Sequence, residues 1–441
     1  MIYSHIHRKR KSDLGVVELI AIALGGMIGG GIFTILGISV SMIGIYTPVA
    51  IIIGGLMAYL AAYSYIKLGV YYKDEGASYS FFKRTFPNSS FAASLVGWWV
   101  IFGYVTTIAL YSYTFSSYAL SNSEFSDSVM ARKLVAGGVI LIFTLINIWS
   151  VKGMGKVEDV MVYTKLIILI VMSFVFINNS QTTLPVLFES EKPTTLISIL
   201  IVASLTFVAY EGFQLVINAV NNMENPEKNI PLSIYSALFI AIILYVVISV
   251  GAILVIPFDE IIKNKEYALA SGAENILGHW GSELIIIGAL LATSSAISAT
   301  LFGASRQMSV IAKEGYFPSY LIKRNNGIPS SAVVTMSGFA FLLVLFSDLE
   351  LILEFSSITF LLVSLLIAYA NYKVRNESKS SSLMIVTAMI GLLTATAMII
   401  YYEVTNQPEQ LLFIGTIFLI LTCSAWAYSK HNRAKMGVEN K

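Results

Sequence analysis

Three stretches of this sequence place chemically able groups inside apolar surroundings. The first is Lys165, in the run Val162-Tyr163-Thr164-Lys165-Leu166-Ile167-Ile168. In an apolar segment that starts near Val157 it is the ninth residue. That sets it about 12 Å along a helix, too deep for its ammonium to snorkel easily to the interface. Burial disfavours the charged form of a lysine, so a lysine here can act as a proton carrier. The alternative is a permanent cation paired with a carboxylate such as Glu211. That carboxylate is the second feature, in Phe207-Val208-Ala209-Tyr210-Glu211-Gly212-Phe213-Gln214. A carboxylate at membrane depth costs a few kcal/mol. It has to face a cavity, pair with a cation or stay protonated, and the neutral alternative is a protonated carboxyl hydrogen-bonded between helices. The third is Leu24-Gly25-Gly26-Met27-Ile28-Gly29-Gly30-Gly31-Ile32-Phe33. Each of its five glycines weakens a helix by about 1 kcal/mol relative to alanine. Small-xxx-small pairs such as Gly25/Gly29 serve close helix packing. Three consecutive glycines go further and predict an unwound segment, whose free N–H groups at a half-helix N-terminus can hold a ligand carboxylate. No strand precedes these glycines and G-x-G-x-x-G spacing is absent, which excludes a dinucleotide-binding turn.

The elements that must position these groups are membrane helices. Of the 441 residues 56% are hydrophobic and 12% charged, with a mean hydropathy of +0.76. Soluble proteins carry about 25% charged residues, so a water-soluble enzyme, a nucleic-acid binder and a disordered chain are all excluded. Twelve apolar segments are expected, near 15–40, 46–70, 91–121, 133–151, 157–178, 195–221, 231–256, 282–311, 331–347, 351–372, 383–403 and 410–428. They are too long and too uniformly apolar for the ~10-residue alternating strands of a β-barrel. The first is too long and too glycine-rich, with no small-residue cleavage site, for a removable signal peptide. With the N-terminus in the cytoplasm, only Arg132, Lys133, Lys192, Lys263 and Lys265 fall on the far side. Lys165 lies within a span, and the other 22 of the 28 basic residues face inward. This asymmetry predicts a multi-pass protein of the cell (inner or plasma) membrane with both termini cytoplasmic.

The remaining polar groups are sparser. The third segment carries Tyr104, Thr106, Thr107, Tyr111 and Ser112, and the eighth carries Thr293, Ser294, Ser295, Ser298 and Thr300. Such hydroxyls commonly bond their own backbone, though as groups they can line a site. Trp280, Tyr401 and Tyr402 read as interface aromatics. The stretch Asp74 to Asn88 reads equally as an interfacial helix or a loop. One cysteine, Cys423, and four dispersed histidines (His5, His7, His279, His431) make a metal site unexpected, and no cofactor is called for. No Ser/His/Asp set or nucleotide loop appears, so an enzyme is not expected. The two interruptions fall in segments 1 and 6, where the halves of a five-helix repeat would place them, and paired broken helices mark a transporter's midplane site.

Here the chain resembles the amino acid–polyamine–organocation (APC) superfamily, whose members share the LeuT-type fold. The resemblance rests on Gly26-Met27-Ile28-Gly29-Gly30-Gly31-Ile32-Phe33; on Phe207 to Phe213 followed by Glu224-Asn225-Pro226-Glu227-Lys228-Asn229-Ile230-Pro231; and on Ser294-Ser295-Ala296 followed by Ala312-Lys313-Glu314-Gly315-Tyr316-Phe317-Pro318. It implies an all-α protein with twelve transmembrane helices, in a 5+5 inverted repeat with helices 1 and 6 broken. Residues 1–14 would be a cytoplasmic N-terminus and 15–373 the ten-helix core, with repeats of about 15–180 and 195–373. Residues 383–428 would be two added helices and 429–441 a cytoplasmic C-terminus. It implies further that a substrate carboxylate meets the backbone at Gly29, Gly30 and Gly31, with Ile28 beside them in the substrate site. The α-ammonium would meet carbonyls around Phe207, Val208 and Tyr210. The side-chain pocket, between spans 1, 3, 6, 8 and 10, would include Tyr104 and Ser357. Lys165 falls where proton-coupled members place a lysine, near the Gly25 carbonyl and Ser294 and Ser295, in the place of a sodium ion. Glu211 stands where many members are apolar, which points to a cationic substrate, a second protonatable group or a carboxyl that orients the unwound backbone. The function implied is a proton-coupled amino-acid symporter, monomeric as a functional unit, with an amino-acid or polyamine exchanger as the alternative on the same fold. A membrane sensor or structural protein is the alternative of another class. Its partners would be a small-molecule amino acid, protons and the lipid bilayer, and no nucleic acid.

Overall fold

The computed structural model describes residues 14–149, 151–180, 183, 194–264, 267–325 and 327–439. The basic residues Arg8 to Lys11, Lys192, Lys265 and Lys441, with His5 and His7, lie outside them. The described chain is helical: α1 (Val16–Met27), α2 (Gly30–Ile43), α3 (Thr47–Tyr72), α4 (Ala77–Thr85), α5 (Ser90–Leu120), α6 (Val129–Trp149), α7 (Val151–Asn178), α8 (Leu196–Thr206), α9 (Leu215–Asn218), α10 (Pro226–Val255), α11 (Phe258–Lys263), α12 (Ala268–Leu277), α13 (His279–Lys313), α14 (Ser330–Phe346), α15 (Leu349–Lys373), α16 (Ser382–Asn406) and α17 (Pro408–Glu439).

Among the described residues, ten helical stretches are long and apolar enough to cross a membrane, one of them the continuous run Gly30–Tyr72. That run turns at Gly44, whose φ of 51° suits a residue without a Cβ, before Pro48 opens α3. The expected twelve would require α1 with α2 to make one interrupted crossing, α3 the next, and the 17-residue α14 another. Local chemistry sets several ends. Asp348 accepts from Leu351 N (2.8 Å) to cap α15, and Thr195 accepts from Ser198 N (3.1 Å) to cap α8.

Burial sorts the helices into layers. The apolar windows of α5 and α15 are 78% buried, whereas those of α6 and α17 are only 22% and 17% buried. Exposed Leu134, Leu141, Phe413 and Leu419 make the outer helices apolar toward their surroundings, the pattern of a lipid-facing wall. The stretch after α3 resolves as a helix, α4, but its Tyr79, Phe81 and Phe82 are buried under the bundle rather than laid along an interface. Two short helices, α11 and α12, occupy the connection after α10 and pack against α2.

One end of the bundle is closed by polar ties. Glu314, just past α13, accepts from Tyr79 and Lys83 of α4, and Gln307 Nε2 donates to Gly76 O at 3.0 Å. Leu14 pairs with Met223, and Glu224 N donates to Leu14 O (3.2 Å), fastening the start of segment 1 to the exit of segment 6. Lys73 reaches Glu227 at 2.8 Å on the exposed rim.

Candidate functional site

Both expected interruptions are present. Helix α1 stops at Met27, Ile28 and Gly29 leave helical geometry (ψ 74° and −137°), and α2 restarts at Gly30. In segment 6, α8 tightens into a 3₁₀ turn at Phe207–Tyr210. Glu211 is then extended (ψ 142°), Gly212 takes φ +124°, and helix resumes at Leu215. The breaks cross backbone to backbone: a Cβ on Gly212 would stand 2.6 Å from Gly26 C and 2.7 Å from Met27 N.

A helix end inside the bundle leaves carbonyls that need donors. Side chains from three other helices supply them. Lys165 Nζ, on α7, donates to Gly25 O (3.1 Å), Ile28 O (2.6 Å) and, across the gap, Ser295 Oγ of α13 (2.7 Å). Tyr111 OH of α5 donates to Gly26 O at 3.0 Å. Tyr245 OH of α10 lies 2.8 Å from Met27 O and 3.1 Å from Ala209 O, so it links the two breaks. Lys165 has no exposed surface. These three hydrogen bonds go to backbone carbonyls and a hydroxyl, whereas Glu211 Oε2 accepts from Gln214 Nε2 (2.7 Å).

A cavity of about 10 Å³ lies between Gly26 of α1, Tyr104, Thr107 and Tyr111 of α5, the Glu211–Leu215 break, Thr300 of α13 and Phe360 of α15. Those are spans 1, 3, 6, 8 and 10. The volume is at the lower limit for one water, so the centre is closed. Glu211 Oε1 and Tyr104 OH are buried there without a hydrogen-bond partner among the described residues. A carboxylate oxygen and a phenol turned into a central cavity offer an acceptor pair to a ligand ammonium.

The other expected ligand residues are placed differently. Gly29, Gly30 and Gly31 head α2, whose N-terminus carries the positive end of its dipole. Their open faces are filled: a Cβ would meet Ala296 and Tyr111 at Gly29, Thr114 at Gly30 and Ala209 at Gly31, all under 3.0 Å. Val208 O accepts from Glu211 N (3.1 Å), and Tyr210 OH points away, to Ile51 O (2.8 Å). Ser357 Oγ donates to Leu205 O (3.1 Å), clamping α15 to α8 above the break, and does not line the cavity. Ser294 is buried beside Ser295. Phe207, 1% exposed, is packed in the core.

Tyr245 and Gln214 were not anticipated. The available signal for Tyr245 was a phenol at mid-length of an otherwise apolar run, Ile242-Ile243-Leu244-Tyr245-Val246-Val247. Tyr245→Phe keeps the ring and deletes one donor to two buried carbonyls. It is expected to destabilise the protein by about 1–3 kcal/mol, read as a lowered midpoint of thermal unfolding in detergent. An unchanged midpoint would show that these carbonyls do not depend on the phenol.

A family model described as amino acid permease matches residues 14–423, through both breaks and all five elements around the cavity. The chain belongs to the amino acid permease family. Among relatives, this permease is 28% identical to the inner membrane transport protein YbaT of Escherichia coli, over 92% of the chain and 94% of the relative. It is 26% identical to cationic amino acid transporter 6, chloroplastic, of Arabidopsis thaliana, over 80% of this chain and 64% of that one. To the branched-chain amino acid permease BcaP of Bacillus subtilis it is again 26% identical, over 71% and 70%. The permease is therefore a multi-pass membrane protein built as an amino-acid transporter.

Proposed function

We propose that this permease is a proton-coupled amino-acid symporter that works by alternating access, with Lys165 as the proton carrier. The observation that carries the reading is the Lys165 tripod. Its ammonium has three N–H donors, and three acceptors surround it: two carbonyls of the α1 break and Ser295 of α13. A neutral amine has two N–H groups and a lone pair. One acceptor must then be given up, and the lone pair faces an oxygen. Protonation therefore ties α1 to α13, and loss of the proton loosens the tie. That difference in free energy is what a transported ion needs in order to shift a conformational equilibrium.

In this reading the substrate carboxylate takes the N-terminus of α2 at Gly29–Gly31 once Tyr111, Thr114 and Ala209 move off it. Its α-ammonium takes carbonyls of the Phe207–Tyr210 turn, and its side chain meets Glu211 and Tyr104. Residues 15–373 form the transport core, with repeats of about 15–180 and 195–373, and α16 and α17 stand outside it. Both termini are cytoplasmic, the functional unit is the monomer, and the protein sits in the cell membrane. The relatives named above carry different substrates by name, so the side-chain preference is left to Glu211 and its neighbours.

The test is uptake by the purified protein in liposomes from sodium-free buffer containing a labelled amino-acid mixture. Accumulation is expected only with an inside-alkaline gradient. Flux that ignores the gradient and needs preloaded substrate would replace the symporter by an exchanger.

A further inference from the structure

A second group of ionisable side chains lies away from the centre, at the end of the bundle where α15 begins. Glu354 of α15 and Glu403 of α16 are 3% and 0% exposed, and their carboxyl groups face each other across the α15–α16 seam. Glu354 lines a cavity of about 50 Å³ shared with Ser41 of α2, Leu205 of α8, Glu350, and Tyr402 next to Glu403. Tyr402, expected as an interface aromatic, is thus part of this wall, while Trp280 and Tyr401 are exposed.

Neither carboxyl is neutralised by what surrounds it. Glu354 Oε2 and both oxygens of Glu403 meet no hydrogen-bond donor, and no ion pair reaches either residue among the described residues. The charged groups nearest the pair are themselves acidic, Glu350 and Asp348 of α15, and Tyr402 is the titratable neighbour on α16. The facing helices α2 and α8 carry no ionisable residue at all. Two desolvated carboxylates in contact cannot both stay ionised without a cation between or beside them. No three His, Cys, Asp or Glu side chains among the described residues are arranged to hold a metal ion. The cavity has room for one or two waters, enough to bring a proton from solution to Glu354.

We propose that Glu354 and Glu403 share one proton, forming a proton-binding site at the α15–α16 seam that fills through this cavity and is separate from Lys165. The step is a simple transfer. A hydronium ion in the cavity gives its proton to a carboxylate oxygen and leaves as water, and the O–H then donates to the facing carboxylate. The two residues titrate as a unit, not as two independent acids. The bound proton holds α16 against α15. Its release leaves two like charges in contact and opens the seam.

Infrared difference spectroscopy of the full-length protein in lipid vesicles, titrated with pH and with ¹³C-labelled glutamate, reads the protonated carboxyl directly and needs no transport. The wild type is expected to show a protonated-glutamate carbonyl band at neutral pH that Glu403→Gln removes. Glu354→Gln should remove the same band, and the double variant should lose no more than either single one. In each single variant an amide N–H replaces the shared proton, so the remaining carboxylate ionises. The near-isosteric Glu403→Gln alone suffices if Glu354→Gln fails to fold. Bands that survive both single substitutions, or losses that add, would overturn the shared proton. A band absent in sodium or potassium buffer but present when a bulky organic cation replaces them would assign the cavity to a metal cation instead. A wild type that shows this band but accumulates no substrate under the pH gradient would count against Lys165 as carrier and leave the pair standing.

Discussion

Lys165→Met is expected to abolish accumulation driven by a pH gradient while leaving substrate exchange measurable. Methionine keeps most of the length and volume of the side chain but removes all three donors. Gly25 O, Ile28 O and Ser295 Oγ then lose a charged partner inside the buried core. Hydrogen bonds to a charged group are worth about 1.5–3 kcal/mol each. Even one of them, lost from the proton-bound state alone, changes its population by about tenfold or more. Losing the set should lower gradient-driven uptake by at least about 100-fold. The informative comparison is with counterflow, in which labelled substrate enters preloaded liposomes without a gradient. A proton carrier and a fixed structural cation differ there. If Lys165 carries the proton, counterflow persists in Lys165→Met and no longer responds to pH. If it only braces α1 against α13, driven uptake and counterflow fall together. The sign follows from the geometry, because the tie is present while the amine holds its proton and weakens as pH rises past the point where it lets go. Lys165→Arg sharpens the test. Guanidinium is planar and does not deprotonate in proteins, so it fits three convergent acceptors poorly and cannot release a proton. Retained gradient-driven uptake in Lys165→Arg would rule out the carrier role.

How much of this was readable from the sequence varies by kind of feature. Five glycines between Gly25 and Gly31, and Gly212 beside a buried carboxylate, signal their own breaks, because local backbone cost is a local property. Depth was equally legible for Lys165 and Glu211, since it needs only a residue count along an apolar run. Partners were not. Lys165 meets Ser295 across 130 positions and Tyr245 meets Met27 across 218. No periodicity within one helix records which neighbour's carbonyls lack donors. The Glu354–Glu403 pair escaped for a related reason. Each glutamate sits one or two turns from a helix end, where a single carboxylate looks like an ordinary rim charge, and only the packing of α16 on α15 buries them together. The loop between α3 and α5 was ambiguous because Ser80-Phe81-Phe82-Lys83-Arg84 suits an amphipathic helix on a membrane or under a bundle alike. The structure chooses the second through Glu314. Ser357 shows the opposite failure: its place on span 10 suggested the pocket, but its hydroxyl is used by Leu205 O.

The largest structural effect is expected at Gly212. Its φ of +124° lies where side-chain-bearing residues are strained, and the atoms that a new Cβ would strike are backbone: Gly26 C at 2.6 Å, Met27 N at 2.7 Å and Gly26 Cα at 2.9 Å. A flexible side chain could turn aside, but two crossing main chains cannot. The strained dihedral costs about 1–3 kcal/mol, and forcing a methyl into a closed contact costs about 1–3 more. Together that is a large share of the roughly 5–15 kcal/mol that holds a typical protein folded. Gly212→Ala should therefore lower the thermal unfolding midpoint sharply and abolish uptake. Alanine at Gly391 of α16 or Gly338 of α14, where nothing lies within 4 Å, supplies the control. There the better helix propensity should leave stability unchanged or raise it by up to about 1 kcal/mol. The contrast separates a general intolerance of α-helical change from the demand of this one crossing. If Gly212→Ala kept both the midpoint and the uptake of the parent, the two breaks would not need to touch. The positive end of α2 and the carbonyls of the Phe207–Tyr210 turn would then have to be brought to one substrate by some other contact. If uptake alone were lost, with the midpoint retained, the crossing would be a moving part of transport rather than a pillar of the fold. The Tyr245 bridge between Met27 O and Ala209 O would then be the element that holds the closed state together.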